Sequence, residues 1–447
     1  MTIRRQPADF VVRERLGEAF RASLTPSPTK SNPYAILHLA KTSLATPDAV
    51  RFLAQTVGVP IDHLSYAGLK DKHAQTTQHV SIEPGPSSKP THLPDRIAGP
   101  NWEAHLVGWS PQPLAAAAID GNSFELVVRD LTLAQSDEMA RRADLLWTDG
   151  RAPDADYADA PQDASPDAGT AEAPGGTSGS NAPGLVLINY FGDQRFGIAR
   201  HHQGWAGRAL IDGDFELALR LAIGTPARKD AGRTRVITRL CATHWGDWKT
   251  LARDLPRCPE RRPFERLAAG GDFKQAFAAV PTFTQQMAVE SYQSLLWNRS
   301  AGLIAHRLAP GPSGQRSRRD LLHAEDPFGD LWFPVPRRVD SSWRETILPL
   351  LGRKTPLDPR WAWAVEQVLK DENLTQNDLR IPGLHRPFYG EAPRPLFIVA
   401  KRFEMSVAER DDMGSPAKPG QARGMRRLSF DLPRGAYATV VLRALGQ

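Results

Sequence analysis

Cysteine is nearly absent: Cys241 and Cys258 are the only two in a chain of 447 residues. Two thiols cannot build a disulfide framework, and a structural zinc site would need more cysteine or paired histidine. Both are expected to be free thiols in a reducing cytosol. Long apolar runs are also missing. No uninterrupted stretch approaches the ~20 residues that a membrane helix needs. Met1 to Phe20 is charged and has no apolar core, so no secretory signal is visible and a cytoplasmic protein is expected. The pattern Asn298-Arg299-Ser300 is therefore not read as a glycosylation site. No internal repeat or nucleotide-binding glycine loop stands out, and no motif calls for a metal or an organic cofactor.

What is present is enough hydrophobic residue, 41%, for a sizeable core, in a length that suggests two domains. The net charge is +6 and the sequence pI about 9.4. A mildly basic balance allows a polyanionic partner. Arginine dominates the cations, and its planar fork suits phosphate. Four clusters lie in the second half: Arg228, Lys229, Arg233, Arg235 and Arg239; Arg257, Arg261, Arg262 and Arg266; Arg316, Arg318 and Arg319; Arg337 and Arg338. Any one fits a solvated face. Together they point to a phosphate-binding surface.

Residues 151–183 are rich in Ala, Asp, Pro, Gly and Ser, with too few apolar side chains to offset the entropy of ordering. The composition predicts a disordered acidic linker. Before it, Tyr34 to Ala40 reads as a strand. Thr46 is a candidate N-cap with Pro47 at the first helical position, and Val50, Leu53, Ala54 and Val57 follow at helical spacing to Gly58. Phe124 to Val128 is β-prone. Asp137 to Trp147 reads as a helix capped by Ser136. After the linker, Gln285 to Leu308 carries the best helical pattern, and Arg394 to Ile398 is expected to return the chain to the first domain.

The most informative segment is Gly68-Leu69-Lys70-Asp71-Lys72-His73-Ala74, between a short strand-like stretch (His63 to Ala67) and a period-two strand through Val80 and Ile82. Gly68 is expected to allow a tight loop entry. Lys70 and Lys72 flank Asp71 and favour a charged carboxylate, which could serve as nucleophile or general base. Spacing alone also fits a solvated turn.

The run Gly68 to Ala74, followed by Thr77-Gln78, resembles the signature of the tRNA pseudouridine synthase D (TruD) family. Four further stretches resemble that family in the same order: Pro7-Ala8-Asp9-Phe10-Val11-Val12-Arg13-Glu14, Gly121-Asn122-Ser123-Phe124, Asn189 to Gly197, and a closing strand over Leu432 to Thr439. The resemblance implies Asp71 as catalytic nucleophile, and Asn122, Phe124 and Phe10 around the target uridine. It places Tyr437 where some members carry Phe, and aligns Arg4 with a basic residue near the active site. Lys70 joins them as a candidate substrate contact. For Gln194 and Arg195 a bracing role is favoured over RNA contact.

The implied fold is α+β: a pseudouridine-synthase catalytic domain with a mixed, mostly antiparallel sheet, plus an inserted α/β TRUD domain, the two forming a cleft. The expected segments are 1–150 (catalytic), 151–185 (linker), 186–398 (inserted) and 399–447 (catalytic). The implied activity converts uridine, at position 13 of certain tRNAs, to pseudouridine. The expected partner is tRNA, the expected state a monomer, and no cofactor is needed because the uracil anion is a fair leaving group. Attack on C1′ and proton removal from C2′ both remain open. The alternatives are an RNA-binding chaperone and a glycosidase. The latter needs a second carboxylate, for which Glu14 is the nearest candidate.

Overall fold

In the computed structural model the described residues are 2–83, 93–149, 182–197, 199, 203–227, 230, 232–309, 320–413 and 423–447. The expected linker lies outside them apart from 182–185, and so do Arg228, Lys229, Arg316, Arg318 and Arg319. The strands are β1 (Phe10–Leu16), β2 (Tyr34–Thr42), β3 (Leu64–Tyr66), β4 (Gln75–Ile82), β5 (Arg96–Gly99), β6 (Trp102–Ser110) and β7 (Ile119–Leu131). Then come β8 (Trp147–Thr148), β9 (Gly184–Ile188), β10 (Leu321–Ala324), β11 (Leu331–Pro334), β12 (Phe397–Met405), β13 (Glu409–Arg410) and β14 (Gly424–Pro433). The chain divides into two units, Met1–Leu187 with Ile398–Gln447, and Ile188–Phe397.

The first unit is organised on a mixed sheet ordered β5-β6-β2-β4-β1-β7-β14-β12-β9-β8, with β3 on β4 and β13 on β14. β1 is parallel to β4 and antiparallel to β7, whereas β2 is antiparallel to both β4 and β6. Alternate residues of a strand face opposite sides. Leu37 and Leu39 accordingly join Val80, Ala104 and the helix Thr46–Val57, whose Ala49, Val50, Leu53 and Ala54 form its buried stripe. Ile36 faces the other way, toward Leu16, Phe20, Leu114 and Ile119. Each buried Leu, Ile or Val side chain contributes about 1.5–3 kcal/mol of transfer free energy.

Two expected caps differ from the structure. Thr46 is the first helical residue, after the N-cap Ala45, and makes no cap bond. The next helix runs Leu133–Leu146 and is capped by Thr132 in a reciprocal box with Gln135. Ser136 is buried and accepts a bond from Arg426 Nε (2.7 Å). In both cases a tertiary partner takes the hydroxyl. Gly58 does end the first helix, at φ 72°. Gly121 is required by close approach, because a Cβ there would stand 2.0 Å from the Leu432 carbonyl oxygen across the β7–β14 pairing.

An ion cluster around the buried Arg129 ties this unit together. Arg129 on β7 donates to Asp9 (3.0 Å), Asp411 (2.8 Å) and Asp412 (2.8 Å). Burial pushes the Asp411 carboxyl up. The amides of Asp130 and Met413 and the Arg129 guanidinium outweigh that push and hold it below its ordinary value.

The second unit is mostly helical, with a two-stranded β10–β11 ladder. Its central helix, Thr282–Leu308, buries Tyr292, Leu295, Leu296, Trp297 and Ile304, but not Leu303. Asn298 of that helix accepts the Phe191 amide (2.9 Å) and donates to the Phe191 carbonyl (3.0 Å).

Arg129→Met leaves Asp9 and Asp411 buried without their cation. It is expected to cost about 3–5 kcal/mol of stability, read as a lowered urea midpoint. A midpoint within error of the parent protein would show the cluster to be energetically neutral.

Candidate active site

The Asp71 loop spans residues 67–74 between β3 and β4, and three elements hold its main chain. The Thr46 hydroxyl, at the helix start, accepts the Lys70 amide (3.1 Å) and donates to Gln78 Oε1 (2.8 Å). Gln78 on β4 donates through Nε2 to the Gly68 carbonyl (3.4 Å). Lys41 on β2 donates through Nζ to the carbonyls of Asp71 (2.9 Å) and Lys70 (3.5 Å). The Asp71 carboxylate closes a short turn on itself, with Oδ1 accepting the His73 amide (2.9 Å). Gly68 is not needed for a tight path: a Cβ there would meet nothing within 4 Å. Its contribution is its carbonyl.

Asp71 is ion-paired with Arg4. A guanidinium nitrogen lies 2.9 Å from Asp71 Oδ2, with the two side chains 26% and 12% exposed. Arg4 stands at φ 64°, a region that non-glycine residues rarely occupy. The arm carrying it is anchored at both ends on Arg129. Thr2 exchanges two backbone hydrogen bonds with Arg129 (2.9 and 2.8 Å), and Asp9 accepts from its guanidinium. The Arg4 guanidinium also lies over the Phe10 ring, 4.1 Å from its centroid. Phe10 meets Phe124 edge-on (6.3 Å, 81°), and Phe124 stacks on Phe430 (5.5 Å, 29°). Asp71, Arg4, Phe10 and Phe124 are thus one contiguous chain of contacts.

Strand register explains why residues so far apart in sequence meet. β1 sets Val12 opposite Phe124 and Glu14 opposite Asn122 on β7, while its other edge pairs Val12 with Thr76 on β4. Asn122 and Phe124, two apart, share one face.

Lys70 turns away from Asp71. Its Nζ lies 2.7 Å from Glu14 Oε2 and donates to Asn122 Oδ1 (2.9 Å). Glu14 is buried, and its Oε1 accepts the His79 amide (2.8 Å) and lies 3.2 Å from His79 Nδ1. Burial pushes the Glu14 carboxyl up, but bonding to His79 and the Lys70 ammonium hold it below its ordinary value. This arrangement corrects two expectations. Lys70 and Lys72 do not act as a matched pair of flanking cations on Asp71: Lys70 serves Glu14 and Asn122, and Lys72 is exposed. Glu14 is committed to His79 and Lys70, so it is not free to serve as the second acid considered for a glycosidase.

The aromatic candidates are less open than expected. Phe10 is 4% and Phe124 8% exposed, with Arg4 over one ring and Phe430 against the other. Tyr437 is half-buried. It does not lie on a strand, since β14 stops at Pro433, a turn with Gly435 at φ 83° follows, and Tyr437 caps the helix Ala438–Ala444. β14 pairs Leu432 with Asn122, five residues before Tyr437. Sequence reasoning missed Lys41, Thr46 and Gln78 as supports. A signal existed for Lys41, which continues the buried series Ala35, Leu37 and Leu39 in period two.

In the second unit Arg195 donates to Ser294 (3.1 Å) and pairs with Glu290 (2.6 Å), a brace onto the central helix. Arg394 binds the Asn189 carbonyl (2.6 Å) and Oδ1 (2.9 Å). Of the basic clusters, Arg233, Arg235, Arg239, Arg257, Arg262, Arg266 and Arg337 are exposed. Arg261 is paired with Glu265 (2.9 Å) and Arg338 with Asp320 (2.9 Å). Asp71 lines neither of two cavities, one beside Arg235 and Arg239 in the second unit and one beside Val11, Glu125 and Arg427 in the first. Among the described residues no group of three His, Cys, Asp or Glu is arranged to hold a metal, and no helix is long and apolar enough to cross a membrane.

The architecture is that of a solved structure, the putative tRNA pseudouridine synthase D (TruD) from Methanosarcina mazei. The two superpose with a TM-score of 0.57 at 22% identity, over 99% of this chain and 92% of that one, a likeness of fold. Curated relatives include tRNA pseudouridine synthase D of Aquifex aeolicus, 25% identical over 92% of this chain and 91% of the relative. A probable tRNA pseudouridine synthase D of Natronomonas pharaonis is 29% identical over 99% and 92%. The family model described as tRNA pseudouridine synthase D (TruD) matches residues 1–445, and the chain belongs to that family.

Glu14→Gln tests the buried pair. A carboxyl held below its ordinary value contributes stability above that value and loses it as pH falls through the lowered one. The variant is expected to be less stable than the parent at pH 7, with the difference closing in the acid range. A difference independent of pH would show that the charge of Glu14 is not what stabilises.

Proposed function

We propose that the protein isomerises uridine to pseudouridine in tRNA, at position 13, with Asp71 as the reacting acid. The supporting observation is the Asp71 carboxylate itself. It is held on a loop braced from three elements, paired with Arg4, and joined through Arg4 to Phe10 and Phe124. In the reaction the C1′–N1 bond breaks, the uracil turns and a C1′–C5 bond forms; C5 then loses its proton and N1 gains one, so the composition is unchanged. Asp71 either bonds to C1′ as N1 leaves or takes the C2′ proton. Both routes need a carboxylate positioned at the ribose, and positioning is what the loop supports supply.

The uridine must leave the RNA stack, which costs a few kcal/mol. Stacking on an aromatic face offsets roughly 1–3 kcal/mol. Tyr437 is the most accessible of the three candidate rings, and we assign it that contact, with Phe10 and Phe124 forming the wall behind. Asn122 and Lys70, already bonded to each other, offer a donor set for the uracil edge. Arg4 Nε is a buried donor without a hydrogen-bond partner among the described residues, which suits a ligand group arriving beside Asp71. The exposed arginines of the second unit are assigned to phosphate. Residues 1–150 and 399–447 are read as the catalytic domain and 186–398 as the inserted one. We read the protein as a cytoplasmic monomer, where its tRNA substrate resides.

Asp71→Asn is expected to lower pseudouridine formation in a tRNA transcript by roughly a thousandfold or more, read by mass spectrometry of nuclease digests. RNA binding should survive. Near-normal turnover removes Asp71 from the chemistry. If Asp71→Asn still complements a deletion strain in full, the protein acts as an RNA chaperone. Binding of tRNA should weaken steeply with salt, as counterion release requires. A flat response argues against an arginine-lined phosphate surface.

A further inference from the structure

Lys41 is 2% exposed, at the end of the inward-facing series on β2. Burial there strips an ammonium of water, and lysine is seldom found so deep unless something uses its charge. Its hydrogen bonds go to the carbonyl oxygens of Asp71 and Lys70. Carbonyls need a donor but not a cation, so a neutral hydroxyl or amide would satisfy them at lower desolvation cost. What a neutral donor would not supply is positive charge beneath the Asp71 carboxylate.

We infer that Lys41 is a positioning residue for the reaction: its ammonium clamps the main chain of Asp71 from beneath and sets the electrostatic field of the carboxylate, without touching substrate. The inference rests on the pseudouridine chemistry proposed above. The division of labour is consistent with the other cations, Arg4 on the carboxylate from the arm side and Lys70 on Glu14 and Asn122.

The charged groups facing Lys41 are Asp71 and Lys70 of the loop, with Arg4 beyond Asp71. Its register partners Thr76 on β4 and Trp102 on β6 are uncharged. Burial pushes the Lys41 ammonium down to about 8; attraction to Asp71 opposes the fall and repulsion from Lys70 adds to it. The folded value lies below the ordinary 10.5, so between about 8 and 10.5 the unfolded chain holds more proton. Stability therefore rises with pH in that window, and at pH 7 the charged lysine is a burden on the fold.

The test uses the full-length protein, a tRNA transcript, and the variants Lys41→Met and Lys41→Arg. Lys41→Met is expected to lower kcat about a hundredfold or more, with KM changed by no more than about threefold and a urea midpoint equal to or above that of the parent. The parent kcat should decline above about pH 8. Lys41→Arg, whose guanidinium does not titrate there, should carry activity to higher pH. The inference is overturned if Lys41→Met keeps kcat within about threefold, or if its loss only follows a smaller folded fraction. Should Lys41→Met not fold, the pH comparison decides, and identical alkaline limbs in the parent and Lys41→Arg overturn it. Absence of turnover in the parent protein sinks the functional reading and this inference with it. Turnover in the parent with unaffected variants sinks this inference alone.

Discussion

Three cations, Arg4, Lys41 and Lys70, converge on a loop whose own acid is Asp71, with Glu14 the second carboxylate beneath it. Like charges so close would repel strongly in a half-buried setting unless each had its own partner. The structure separates them. Arg4 takes the Asp71 carboxylate, Lys70 takes Glu14 and the Asn122 carbonyl, and Lys41 takes main-chain carbonyls. The partition decides which side chains of the site are already committed.

β1 is the element that makes the partition possible. It is parallel to β4, which ends the Asp71 loop, and antiparallel to β7, which carries Asn122 and Phe124. Its own Phe10 and Glu14 reach both groups. The arm before it is pinned twice on Arg129, itself on β7, so the strand that carries Asn122 and Phe124 also fixes the arm whose Arg4 grips the acid. Three of the five islands of family resemblance fall on these elements: Pro7 to Glu14, Gly68 to Gln78, and Gly121 to Phe124.

The second unit is built on different interactions. Its Asn189 box is an internal lock: Arg394 clamps Asn189, Asn298 clamps Phe191, and Arg195 is held by Ser294 and Glu290. The exposed arginines of its helices stand outside this lock, and Arg261 and Arg338 already have a carboxylate neighbour.

The sequence by itself determined the elements whose cause is local. The β2 strand, the helix ending at Gly58, the β3 and β4 strands around Asp71 and the long helix of the second unit were all legible from periodicity and from Pro and Gly positions. So was Asp71 as the residue of interest, through the family signature. Tertiary structure alone decided what each polar side chain is for. Thr46 and Ser136 look like caps in sequence, but Gln78 and Arg426 claim them. Lys70 looks like the partner of Asp71, yet Glu14 and Asn122 lie within its reach and Arg4, remote in sequence, does not compete with it. The physical reason is range: helix and strand preferences act over a few residues, whereas a hydrogen bond or ion pair is chosen among whatever donors and acceptors the strand register brings within about 3 Å.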